Sequence, residues 1–162
     1  MVAVGAGLLL VVGLVVASLL RSAGNGLRVD YLSLAQQQVE LVRIADIGVS
    51  KADQAEAKNL AVTTKYTVTS QQPAVQNLAK QAGVATAAKN LALGKDATVD
   101  TKLTSADQAN QFDAVFTETL RTKLQRYQQT LKKIYDSTGV ATTKNTLSND
   151  YAAVDLLLGT KE

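Results

Sequence analysis

The chain has 162 residues, no Cys, no His, 4 % aromatics without Trp, and a formal net charge of +3. Without Cys it forms no disulfide or thiolate, and without His it has no imidazole for catalysis or metal binding. Its Lys and Arg are interleaved with acids and form no dense run beside aromatics, so no nucleic-acid surface is expected.

Val2 to Leu20 reads VAVGAGLLLVVGLVVASLL, with no charge and Ser18 as its one hydroxyl. As a helix it would be about 28 Å long, against about 30 Å for the hydrocarbon core of a bilayer. A helix that is apolar on every face over this length is expected in membrane lipid, with Arg21 at the headgroups. Ala6, Gly13 and Ala17 fall on one face and would let a second helix pack closely. Two other uses of the stretch compete. A cleaved signal peptide would have small residues such as Val15 and Ala17 before the cut, but no basic residue precedes the apolar run. A pilin-type helix would bury the stretch in a filament, although Gly5 stands where the type IV pattern has an acid.

Ser22 to Gly26 (SAGNG) predicts a flexible break. The expected organisation is an anchor at 1–21, a linker at 22–29 and a helical domain at 30–162. The first domain helix is expected from about Asp30 to Ile47, carrying Leu34, Leu41, Val42 and Ala45 inward and stopping at Gly48. Ser50 to Asp53 has capping-box spacing and should open a second helix, broken or kinked near Thr69 to Gln72 by Pro73 and ended by Gly83. Ala85 to Leu93 could form a short helix, and Gly94 to Thr104 reads as a loop. Ser105 to Gln108 is a second capping box. Beyond it Phe112, Phe116, Leu120, Leu124, Tyr127, Leu131 and Ile134 recur at spacings of three and four, which predicts an amphipathic helix ending near Gly139. A last helix should begin near Thr142 or Thr143, bury Leu147, Tyr151, Val154 and Leu158, and end at Gly159. Short connections make neighbouring helices antiparallel.

The run from Phe112 to Gly159, with Phe112-Asp113 at its start and Asp150 to Leu158 at its close, resembles the C-terminal helix pair of the bacterial DUF 4142 family. Gln38 to Ala45 and Gln81-Ala-Gly83-Val84 are similar to that family's opening hairpin. The resemblance covers most of residues 35 to 158. It implies an exported, ferritin-like four-helix bundle of unassigned biochemical role. The family's usual His residues are missing, and the middle of the second helix reads Lys65-Tyr-Thr-Val-Thr-Ser70.

A ferritin-like di-iron centre needs Glu from two helices and Glu-x-x-His from two more. Here Glu40 is followed three residues later by Arg43, and Glu118 by Arg121, so both glutamates read as surface partners of those arginines. Tyr31, Tyr66, Tyr127, Tyr135 and Tyr151 could line a groove. At helical spacing, however, Tyr127 and Tyr151 read as core-edge residues with hydroxyls in water. No activated nucleophile or phosphate loop is present, so no catalysis and no cofactor are expected. The sequence thus predicts an all-α chain: a transmembrane-type helix followed by an antiparallel four-helix bundle. Its expected role is structural or interactive at the extracytoplasmic face of a cell envelope. The expected partners are membrane lipid through residues 2–20, and a second copy or another envelope protein. The alternative is a self-assembling filament subunit with the apolar helix in the fibre core.

Overall fold

The computed structural model describes the backbone of residues 5–159 and the side chains of residues 26–159. Among the described residues all regular structure is helical. The elements are α1 (Gly5–Lys51), α2 (Ala55–Gln81), α3 (Ala88–Leu91), a 3-10 turn (Ala92–Gly94), α4 (Ala97–Gln108), α5 (Phe112–Ser137) and α6 (Ala141–Leu158). Among those residues no helix is long and apolar enough to cross a membrane. The expected anchor at 1–21, with Ala6, Gly13 and Ala17, lies outside the residues whose side chains are described.

α1 is continuous through Ser22 to Gly26, where the sequence predicts a break, and through Gly48, where it predicts a stop. Ala52 N still donates to the Gly48 carbonyl at 2.9 Å. Gly48 is needed for packing: a Cβ there would overlap the Phe116 ring. Ser50 therefore lies inside α1, and the chain turns at Ala52 to Gln54. The amides at that turn are not capped locally. Asp113, in the first turn of α5, accepts from Asp53 N at 3.2 Å and Gln54 N at 2.9 Å.

α2 runs through Pro73 without the expected break. Pro73 and Thr69, whose carbonyl loses its donor, both face solvent, so water can satisfy that carbonyl. The helix closes as the sequence suggests. Gly83 has φ +74°, Val84 N donates to Ala79 O, and Gly83 N donates to Lys80 O, a Schellman motif.

The expected loop at Gly94 to Thr104 is instead mostly α4. Asp96 caps it, accepting from Thr98 N at 3.0 Å, and Val99, Leu103 and Ala106 are buried at spacings of four and three. Ser105 lies inside α4 and does not start α5. Asn110, at φ 55°, ends α4, with Gln111 N donating to Ala106 O at 2.8 Å.

The long helices run antiparallel in pairs. Arg28 donates to Gly83 O at 2.6 Å and Lys65 meets Asp46 at 2.6 Å, which ties α1 to α2 at two levels. Lys133 meets Asp30 at 2.7 Å and Gln37 donates to Thr130 at 3.1 Å between α1 and α5. Arg121 donates to Leu158 O at 2.7 Å and Gln128 to Asp155 at 3.0 Å between α5 and α6. α2 also touches α5 and α6. Leu34, Leu41, Phe112, Phe116, Leu120, Leu124, Tyr127, Leu131, Ile134, Leu147, Val154 and Leu158 are buried in one core. Tyr151, expected there, is 37 % exposed, because its neighbour Asp150 takes the inward position of that turn.

Gly48→Ala drives a methyl into the Phe116 ring, and a loss of about 1–3 kcal/mol is expected from such overpacking. Urea unfolding of the wild type and the variant checks this. In a Phe116→Leu background, which removes the ring, the same glycine change should cost clearly less.

Candidate functional site

One level of the core is polar. Gln38 on α1, Gln71 on α2, Tyr127 on α5 and Asp150 on α6 are all buried. On its own helix each is bracketed, one turn away on either side, by buried apolar residues. These are Leu34 and Leu41, Val68 and Val75, Leu124 and Leu131, and Leu147 and Val154. Helical spacing therefore points the four polar groups inward just as it points the leucines and valines. The Gln128–Asp155 bond and the contact of Lys144 with the Tyr135 ring bracket Asp150 beside this part of α5.

Tyr127 joins three helices. Its hydroxyl accepts from Gln38 Nε2 at 2.8 Å and donates to Gln71 Oε1 at 3.3 Å. The hydroxyl expected in water is thus enclosed, and Tyr127 is 0 % exposed. Burial pushes its phenol well above the ordinary tyrosine range, the nearby Asp150 charge pushes the same way, and the Gln38 bond opposes both. Gln38 Oε1 and Asp150 Oδ2 are buried with no hydrogen-bond partner. Burial pushes the Asp150 carboxyl up to about 7. Of these four groups, Gln38, Tyr127 and Gln71 are hydrogen-bonded across the core, and Asp150 is buried on α6 without a hydrogen bond. They do not fit a di-iron centre, since they supply one carboxylate. Among the described residues no three acidic side chains converge to hold a metal ion.

A second polar cluster lies where the segment from the 3-10 turn to α4 crosses α1 and α5. Glu40, expected at the surface, is 4 % exposed. Arg43 grips it with Nε at 2.8 Å and Nη2 at 2.7 Å, and also pairs with Asp100. Asp96 N donates to Glu40 Oε1 at 3.3 Å. Lys95 meets Asp100 at 2.8 Å, and Lys123 meets Asp96 at 2.7 Å. Lys123, then Thr98, hold the Asp96 carboxyl far below the usual carboxylate range. Lys95, then Arg43, lower Asp100. The Glu40 contact, opposed by burial and aided by Asp100, raises Arg43. Glu118 does not pair with Arg121. It is exposed and 3.6 Å from Lys102, while Arg121 holds the end of α6.

Two surface clefts flank these clusters. One of about 190 Å³ lies between α1, the 3-10 turn and α5, lined by Ser33, Gln36, Gln37, Glu40, Lys123 and Arg126 among others. Another of about 270 Å³ lies between α5 and α6, with Leu131 and Leu147 at its base and Tyr135 and Tyr151 at its sides. Of the five tyrosines considered for a groove, the structure brings these two together. Tyr31 and Tyr127 are buried, and Tyr66 is exposed on α2.

No family model, curated protein or solved structure matches the chain. The functional reading therefore rests on its own residues.

Sequence reasoning missed Gln38, Gln71 and Asp150. The signal was there: each occupies the inward slot of an apolar stripe, as Leu34-Gln38-Leu41 and Leu147-Asp150-Val154 show.

Arg43→Leu leaves Glu40 buried without a cation, and a loss of about 3–5 kcal/mol is expected. Glu40→Gln, which keeps a hydrogen-bond acceptor for Arg43, should cost less. Guanidinium unfolding of the two variants beside wild type checks the order.

Proposed function

We propose that this chain is a membrane-tethered helical module of the cell envelope, with a structural or protein-interaction role and no catalysis. The observation that carries the reading is the uncharged stretch Val2 to Leu20, closed by Arg21. It is supported by α1, which continues from Gly5 into the packed helices without a break in helical backbone. At 47 residues α1 is about 70 Å long, enough for one half to lie in lipid while the other packs in the domain. In this reading the four long helices form an antiparallel bundle of the ferritin-like kind, similar to the DUF 4142 pattern but lacking its His residues. α3 and α4 are an added strap between the second and third long helices. The domain lies outside the cytoplasm, and its partners are lipid through residues 2–20 and a second copy or another envelope protein.

The uninterrupted α1 also supports a second reading, in which the same stretch forms the core of a filament. The two readings part on fractionation of the full chain. A tethered module sediments with membranes, resists carbonate, and leaves them in mild detergent as small particles. A filament subunit appears in sheared, detergent-resistant fibres. Leu10→Arg combined with Val15→Arg, at the centre of the stretch, should release the protein in the first case and prevent fibres in the second. Wild-type protein that stays in the soluble fraction, with no fibres, refutes both.

A further inference from the structure

Asp150 is 7 % exposed, and its side chain has neither a hydrogen bond nor an ion pair among the described residues. The Tyr127 phenol on α5 is near enough to feel its charge, and the buried polar groups bonded to that phenol are the Gln38 amide from α1 and the Gln71 amide from α2, none of them cationic. Of the cations on the surrounding helices, Arg43 pairs with Glu40, Lys65 with Asp46, Lys123 with Asp96 and Lys132 with Asp136, while Arg126 is exposed on the cleft beside Gln37 and Glu40, and Lys58 and Lys80 are exposed on α2. On α6 itself, Lys144 lies over the Tyr135 ring and Asp155 accepts from Gln128. A carboxylate with no cation and no donor is the costly form in such a place, whereas the acid is not. The inventory agrees. Tyr127 spends its proton on Gln71, which leaves Gln38 Oε1 and Asp150 Oδ2 as acceptors without a donor. A proton on Asp150 adds the missing donor to that level.

We propose that Asp150 is a proton-binding site: the carboxyl sits neutral in the polar layer, supplies its missing donor, and loosens the packing of the helices when it ionises to solvent. The claim is independent of the membrane reading. Burial raises the carboxyl from 3.8 to about 7. The folded chain thus holds the proton more tightly than the unfolded chain. Its contribution to stability is full below the unfolded value and is lost as pH rises through about 7.

The test is a carboxyl-carbon NMR titration of the full chain, with melting curves of wild type and Asp150→Asn across neutral pH. The expected result is an Asp150 resonance with its midpoint near neutrality. The wild-type Tm should fall by several degrees between about pH 5 and pH 7, relative to the variant, and level off above that. An Asp150 carboxyl that titrates in the ordinary aspartate range, or a variant with the same pH dependence as wild type, overturns the proposal. If Asp150→Asn does not fold, the wild-type titration decides alone.

Discussion

Tyr127 reaches across a greasy core to two amides, and this contact constrains how α1, α2 and α5 can sit. Leucine and valine stripes are forgiving, because an apolar helix face packs nearly as well one turn along its partner. A hydrogen bond is not forgiving in that way. Sliding α1 or α2 by one turn along α5 would place Gln38 or Gln71 opposite Leu124 or Leu131 and leave a buried amide without a partner. That costs about 1–3 kcal/mol for each group. The polar layer therefore selects one register from several that hydrophobic burial alone would allow, and the selection acts through penalties on the alternatives.

The ionic cluster at Glu40 and Arg43 works differently. Its partners come from α1, from the start of α4 and from α5, so it fixes the strap between the second and third long helices onto the others. Apolar anchors at Leu91, Val99 and Leu103 hold the strap down, and the charges determine where along α1 it lies. Glu40 tolerates burial because Arg43 meets both its oxygens and the Asp96 amide adds a third bond. Asp113 acts at longer range still, closing the turn between α1 and α2 from the first turn of α5.

How much of this was legible in the sequence followed from how local the cause was. The seven-residue stripe of α5 is a local pattern and reads off directly, as do the Gly83 and Gly159 helix ends, both at positive φ. Gly48 misled because its reason is a ring more than sixty residues away. Ser50 and Ser105 have capping-box spacing but lie inside helices, since the real turns are made by Asp113 and by Asn110. Asp96 and the Val99, Leu103, Ala106 spacing did announce α4, but Gly94 drew that stretch towards a loop. In the candidate site Tyr127 was visible as core, but its hydroxyl's partners were not, because they lie on other helices. Tyr151 was assigned to the core because an aromatic reads as core, whereas the inward position of that turn belongs to Asp150, for which the sequence pattern suggested no place in the core. The burial of Glu40 was equally illegible, because α4 covers it from a distance in sequence.

The most direct test of the register argument is to make the whole layer apolar, with Gln38→Leu, Gln71→Leu, Tyr127→Phe and Asp150→Leu in one chain. The measurement is amide NMR dispersion together with unfolding cooperativity. If the polar layer sets the register, the chain keeps its helix content and resists urea at least as well as wild type, but gives broad, poorly dispersed amide signals and a shallow transition. Sharp signals with the wild-type inter-helix contacts and a cooperative transition would contradict it.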